Sequence, residues 1–244
     1  MTPTNTANDP VALITGAASG IGRAAAQRFA RADIRVFCVD TDTAGVEETA
    51  HLIAADGGTA TPHSADISQV DQVEAMARDL DALWGRLDCA VNNAGILGQA
   101  QITGECTPQN WDRVIGVNLS GMFYCMRAEI PRLLATQRPA IVNMSSIIGL
   151  GTAPTIPAYA ASKYGVIGLT KTAAQEYDGR IAINAICPGA VATPMQEKWS
   201  GQAYGRTPED IAEIAFWLCR TAPRPISGEA LTDENWDQVR TQKS

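Results

Sequence analysis

Three groups of residues have the types and spacing to do chemistry together. Tyr159 and Lys163 stand four positions apart, and on a helix positions i and i+4 share a face, so the two side chains point the same way. A free tyrosine ionises near about pH 10, too high for a good base at neutral pH. An ammonium beside it favours the phenolate and lowers that value. The pair is therefore a candidate general base or general acid. Gly16, Gly20 and Gly22 form the second group, directly after an apolar run at 11–15. Glycine permits a sharp strand-to-helix turn and a close approach of a pyrophosphate to the backbone. The helix that begins there offers unpaired N–H groups and the positive end of its dipole. The third group is Asp40, which ends the next apolar run 18 residues after Gly22. A carboxylate at that place can accept hydrogen bonds from the adenine ribose hydroxyls. Its charge repels a 2′-phosphate, and neither Ala18 nor Ser19 supplies a base to hold one. NAD is expected in preference to NADP.

Positioning these groups requires alternating strands and helices. Strands are expected at 11–15, 34–39, 59–64, 87–91, 140–144 and 181–186. Helices are expected at 20–32, 43–55, 69–84, 108–134, 158–177 and 208–219. Strands that are apolar throughout belong in a parallel sheet covered on both faces. Alternation with helices gives right-handed crossovers and an open α/β sheet. The expected fold is therefore a Rossmann-type, doubly wound parallel sheet with helices on both faces. Residues 1–10 are polar and expected to be flexible, and 11–244 to form one cofactor-binding catalytic domain.

The glycine spacing TGxxxGxG, with the motifs that follow it in order, resembles the short-chain dehydrogenase/reductase family. Asp66-Ile67 resembles the family's acidic residue and its neighbour after the third strand, where adenine is contacted. Asn92-Asn93-Ala94-Gly95 matches the family's NNAG motif, and Val117-Asn118 its helix asparagine. Ser145-Ser146 follows the fifth strand, Tyr159-Ala-Ala-Ser-Lys163 is a YxxxK motif, and Pro188-Gly189 with Val191 and Thr193 resembles the loop that grips the nicotinamide amide. The resemblance implies an oxidoreductase that passes hydride between a substrate carbon and nicotinamide C4. It implies cofactor contacts from Gly16, Ser19, Gly20, Ile21, Gly22, Asp40, Asp66, Ile67, Asn93, Ala94, Gly95, Tyr159, Lys163, Pro188, Gly189, Val191 and Thr193. The family's catalytic serine lies thirteen residues before its tyrosine, which selects Ser146 over Ser145. Ser146 would hold the substrate oxygen, Tyr159 would move the proton, Lys163 would also bind the nicotinamide ribose, and Asn118 would anchor a water leading from Lys163 to solvent.

The chain departs from that pattern in two places. Only residues 194–206 stand where relatives carry a longer substrate lid. Their Met195, Trp199 and Tyr204, with Leu97, Ile147, Ile148 and Ile156, could line a hydrophobic pocket for a neutral substrate. Lys198 and Arg206 are expected to face solvent. Residues 228–232 resemble the family's last strand, but Asp233-Glu-Asn-Trp-Asp237 replaces its glycine-rich ending. In relatives this end and the helices holding Asn118 and Tyr159 take part in subunit contacts, so a homotetramer or dimer is expected.

Composition narrows the field. A formal net charge of −7 and a pI near 4.9 disfavour nucleic acid, anionic membranes and an acidic carrier protein as partners. Cys38, Cys89, Cys106, Cys125, Cys187 and Cys219 form no CxxC pair and read as free thiols of a reducing compartment. His51 and His63 are the only histidines, too few for a zinc site. No signal peptide or membrane span is legible, so a cytoplasmic location is expected. The leading expectation is an NAD-dependent enzyme for a neutral, largely apolar secondary alcohol and its ketone. A 3-oxoacyl carrier-protein reductase and a non-catalytic NAD-binding sensor or scaffold are the alternatives.

Overall fold

A computed structural model describes residues 9–224 and 226–242. Most of the expected flexible amino-terminal segment thus lies outside the described residues. Arg35 ties down its end, through its Nη2 to the Asp9 carbonyl and its main-chain N–H to the Pro10 carbonyl.

Seven strands form one sheet in which every neighbouring pair is parallel. They are β1 (Val11–Thr15), β2 (Arg35–Asp40), β3 (Ala60–Ser64), β4 (Cys89–Asn92), β5 (Ala140–Met144), β6 (Ala182–Cys187) and β7 (Ala230–Thr232), in the order β3-β2-β1-β4-β5-β6-β7. Side chains alternate across a strand, so a wholly apolar strand feeds two cores. Ala12 and Ile14 of β1 join Val36, Cys38, Val91 and Val142 on one face, whereas Val11 and Leu13 join Phe37, Val39, Ala90 and Ile141 on the other.

The helices divide between those faces. Helices α1 (Gly20–Ala30) and α2 (Thr43–Ala55) lie on the first, and α3 (Val70–Trp84) on the second. Next come α4 (Pro108–Ile115) and α5 (Met122–Leu133), then the long α6 (Pro157–Glu176), with α5 and α6 packed on the second face. The short α7 (Pro194–Ser200) is followed by α8 (Pro208–Phe216), which returns to the first face, and by α9 (Trp236–Gln242). The chain reverses its direction of winding between β1 and β4. The loops leaving the carboxyl ends of those two strands open a crevice, the usual ligand site of such sheets.

One expected element is divided. Residues 108–134 do not form a continuous helix, because Gly116–Gly121 opens into a π-turn between α4 and α5. The turn carries Asn118, whose amide is drawn to another loop. Gly121 lies so close to Ile67 that an added Cβ would sit 2.9 Å from its carbonyl oxygen. Single π-turns inside helices frequently mark functional positions. The expected helix at 208–219 likewise gives way to a π-turn at Trp217–Thr221.

Candidate active site

The phosphate turn links β1 to α1. Gly16 has φ +69°, a left-handed backbone that favours glycine. A Cβ at Gly22 would overlap the Gly16 carbonyl, so the helix starts directly against the turn. Ser19, the residue before α1, makes no side-chain cap bond to the first-turn N–H groups. The β4 loop braces the turn from beside it: Asn93 Nδ2 donates to the carbonyls of Thr15 and Gly16 at 3.1 and 3.2 Å, and Thr15 Oγ1 accepts from the N–H groups of Asn93 and Ala94. This cradle has no room for side chains at the glycines and presents helix-end donors, which fits a pyrophosphate.

Asp40 ends β2 at the same crevice. Its Oδ2 accepts the Ala18 N–H at 3.0 Å and its Oδ1 accepts the Asp42 N–H at 3.1 Å. Arg23 is committed elsewhere, with Nε on Thr49 Oγ1 and Nη2 on the carbonyls of Ala18 and Gly45. A second cleft of about 610 Å³ runs beside Asp40 and is walled by Asp66, Ile67, Gly95 and Val117. Asp66 Oδ1 accepts from both the main-chain N–H and the hydroxyl of Ser68, which fixes the loop before α3.

The other cavity, of about 500 Å³, extends from Gly16, Gly20 and Ile21 past Ser146, Tyr159 and Lys163 to Ile148, Met195 and Trp199. Sequence order hides this grouping: Ser146 follows β5, Tyr159 and Lys163 lie on α6, and Pro188, Gly189, Val191 and Thr193 follow β6. The two serines diverge. Ser145 Oγ donates to the Lys163 carbonyl at 2.9 Å and is buried, whereas Ser146 Oγ accepts the Ile148 N–H at 3.2 Å and its hydroxyl lies within hydrogen-bonding reach of the Tyr159 oxygen. Lys163 is buried, with Nζ donating to the Met144 carbonyl at 2.8 Å and lying 5.4 Å from the centre of the Tyr159 ring.

One expectation needs correction. Burial pushes the Tyr159 phenol above its usual value, opposite to the direction expected, and the hydrogen bond with Ser146 opposes that rise. Burial equally disfavours the lysine's own charge and lowers Lys163 to about 8. The side-chain amide of Asn118 is engaged by the fold. Its Oδ1 accepts the Ile96 N–H at 2.8 Å, and its Nδ2 donates to the Ile96 carbonyl and Ser162 Oγ at 2.9 and 3.1 Å. The π-turn brings it there, next to Gly95, so Asn118 braces the loop that follows β4.

Met195, Trp199 and Tyr204 line the cavity, each between 39 and 46% exposed. Arg206 has a partner that the sequence did not reveal. It is exposed, as expected, and its Nε also binds Asp233 Oδ2 at 3.0 Å. Asp233 itself, 7% exposed, escaped the sequence reading. Its only signal was the departure of the carboxyl-terminal segment from the pattern of relatives.

Comparison with known proteins agrees with this geometry. Residues 10–203 match the short chain dehydrogenase family model. The chain is 39% identical over 223 residues to a cyclohexanol dehydrogenase from Acinetobacter sp. (strain SE19), covering 88% of this chain and 89% of that one. A 3-ketoacyl-(acyl-carrier-protein) reductase from Brucella melitensis, complexed with NADH, superposes with a TM-score of 0.84 at 33% identity, covering 93% and 97% of the two chains. A short chain dehydrogenase from Escherichia coli CFT073, complexed with NADPH, gives 0.88 at 30% identity, covering 93% and 97%. Glycine cradle, serine, tyrosine and lysine thus stand in a fold shared with nicotinamide-dependent enzymes, and the chain belongs to the short-chain dehydrogenase/reductase family.

Proposed function

We propose that this oxidoreductase interconverts a neutral, largely apolar secondary alcohol and its ketone, with NAD as cofactor. The observation that carries the reading is the make-up of the cavity. Ser146, Tyr159 and Lys163 converge on one side, and Leu97, Ile148, Ile156, Met195 and Trp199 supply apolar wall. Of its lining residues only Asp40 and Lys163 are charged, so no guanidinium waits for a substrate carboxylate or phosphate. Asp40 supports NAD, because its charge opposes a 2′-phosphate and Arg23 is spent on the fold.

When bound, the nicotinamide ring gives or takes the hydride and, oxidised, adds positive charge beside the phenol. The chain supplies positions and protons. Tyr159, held as a phenol by burial, gives its proton to the carbonyl oxygen in reduction and as phenolate takes it back in oxidation. Ser146 Oγ–H donates to the same oxygen while charge develops on it. Lys163 holds the cofactor ribose and sustains the phenolate, and the Asn118 amide keeps the β4 loop in place for both. The glycine turn, Asp40, Asp66 with Ile67, and the 188–193 loop take the rest of the dinucleotide.

Residues 194–206 act as a short lid over the substrate. A carrier-protein reductase is disfavoured by the net charge of −7, which repels an acidic partner. Trp111, Phe123 and Tyr164, exposed on α4, α5 and α6, support assembly as a homodimer or homotetramer. The five buried free cysteines support a reducing, cytoplasmic setting.

The test is reduced-cofactor formation over a panel of neutral secondary alcohols, with NAD or NADP, for wild type and Tyr159→Phe. Turnover with NAD that vanishes in the variant, while NAD binding persists, is expected. Equal turnover with NADP would overturn the cofactor assignment, and an active phenylalanine variant would overturn the proton path.

A further inference from the structure

The residues after β7 reach the neck of the segment that joins β6 to α8. Asp233 divides its carboxylate between the two ends of that neck: Oδ1 accepts the Gly189 N–H at 3.0 Å, and Oδ2 accepts Arg206 Nε at 3.0 Å. The ends are also zipped to each other. Arg206 N–H donates to the Ala190 carbonyl at 3.0 Å, the Ala192 N–H donates to the Arg206 carbonyl at 2.9 Å, and Val191 and Arg206 form a parallel bridge. At this neck an added Cβ on Gly205 would overlap the Ala190 carbonyl. Residues 193–205 hang from it and carry Met195 and Trp199 to the cavity.

The tail is shaped to present that carboxylate. Thr232 N–H donates to Asn235 Oδ1 at 2.9 Å and Asn235 N–H donates to Thr232 Oγ1 at 3.1 Å, a reciprocal pair that closes a turn around Asp233. Trp236 then packs edge-on against Trp217, ring centres 6.1 Å apart. A buried carboxylate is costly unless paired, and this one is paired only while Gly189 and Arg206 stay where they are. Directly beside the neck the loop lies against the phosphate turn, since a Cβ on Gly20 would lie 3.1 Å from the Thr193 methyl.

We propose that Asp233 is a positioning residue: it fixes the Gly189 loop for the nicotinamide half of the cofactor and keeps the neck of residues 193–205 closed. The proposal rests on the nicotinamide-cofactor reading above. No contact of Asp233 with the adenine half is involved, so its loss separates the two halves of the ligand.

Wild type, Asp233→Asn and Asp233→Ala are titrated calorimetrically with NAD, NADP and ADP-ribose, and hydrogen exchange is followed in the ligand-free proteins. Asparagine keeps an acceptor for Gly189 and loses the ion pair; alanine loses both. The alanine variant is expected to bind the dinucleotide about tenfold more weakly, the scale of one charge-assisted hydrogen bond. ADP-ribose affinity should stay within about twofold. Exchange should quicken across 189–206 and not in the central strands, with asparagine intermediate. Unchanged dinucleotide affinity in the alanine variant overturns the proposal alone, as does equal weakening of both ligands. Wild type that binds neither NAD nor NADP overturns the cofactor reading and this proposal with it.

Discussion

Glu129 lies under the sheet, 1% exposed, on the face of α5 that packs below β4 and β5. Its Oε2 accepts Asn92 Nδ2 at 3.0 Å; the same nitrogen donates to Asn143 Oδ1 at 3.1 Å, and Asn143 Nδ2 donates to Thr170 Oγ1 at 3.0 Å. Glu129 Oε1 and Asn92 Oδ1 have no hydrogen-bond partner among the described residues. Burial pushes this carboxyl up to about 7 from an ordinary 4.5, against the opposing pull of the Asn92 bond and the Arg132 charge. The folded state therefore holds the proton more tightly than the unfolded chain. Its stabilising contribution is complete below about pH 4.5 and is lost as the pH rises through about 7. A difference of about 2.5 pKa units corresponds to about 3 kcal/mol. That is a large share of the roughly 5–15 kcal/mol by which native domains are stable.

Glu129→Gln removes the ionisation and keeps the shape, and its amide can donate toward Asn92 Oδ1. Urea unfolding of wild type and variant at pH 5 and pH 8.5 measures the effect. The variant should match wild type within about 1 kcal/mol at pH 5 and exceed it by about 3 kcal/mol at pH 8.5. Groups common to both proteins, among them His63, lowered by burial, and Lys163, lowered to about 8, cancel in the difference. A stability difference that does not change with pH would refute this assignment of the buried proton.

Other substitutions separate residues that lie side by side. Ser146→Ala should lower kcat by about 10²–10³ with cofactor affinity unchanged, as seen by steady-state kinetics and titration. Ser145→Ala, which loses the buried bond to the Lys163 carbonyl and the one with Cys187, should cost about 1–3 kcal/mol of stability and leave kcat within a few-fold; the opposite pattern would exchange their roles. Asp40→Asn leaves an oxygen for the Ala18 N–H and removes the charge. The ratio of NADP to NAD dissociation constants should then move by about tenfold or more toward NADP, and a fixed ratio would remove Asp40 from cofactor selection.

Much of this protein could be read along the chain because its signals are local. An apolar run such as Val11–Thr15 is buried whichever face each side chain takes, so strand and parallel sheet follow from composition alone. A glycine turn and a YxxxK pair are short enough for spacing to carry their geometry. Fold family and the expected catalytic positions were legible for that reason. Only the tertiary structure decided matters that depend on groups far apart in sequence. It turned Ser145 inward and Ser146 to the cavity, although both follow the same strand. It opened the helix at Gly116–Gly121 so that Asn118 could bind Ile96, 22 residues earlier. It buried Tyr159 and Lys163 together, and desolvation then reversed the expected direction of the tyrosine shift. It also joined Asp233 to Gly189, 44 residues away. Burial and long-range hydrogen bonds set pKa values and loop positions, and both arise only when separate strands and helices close on one another.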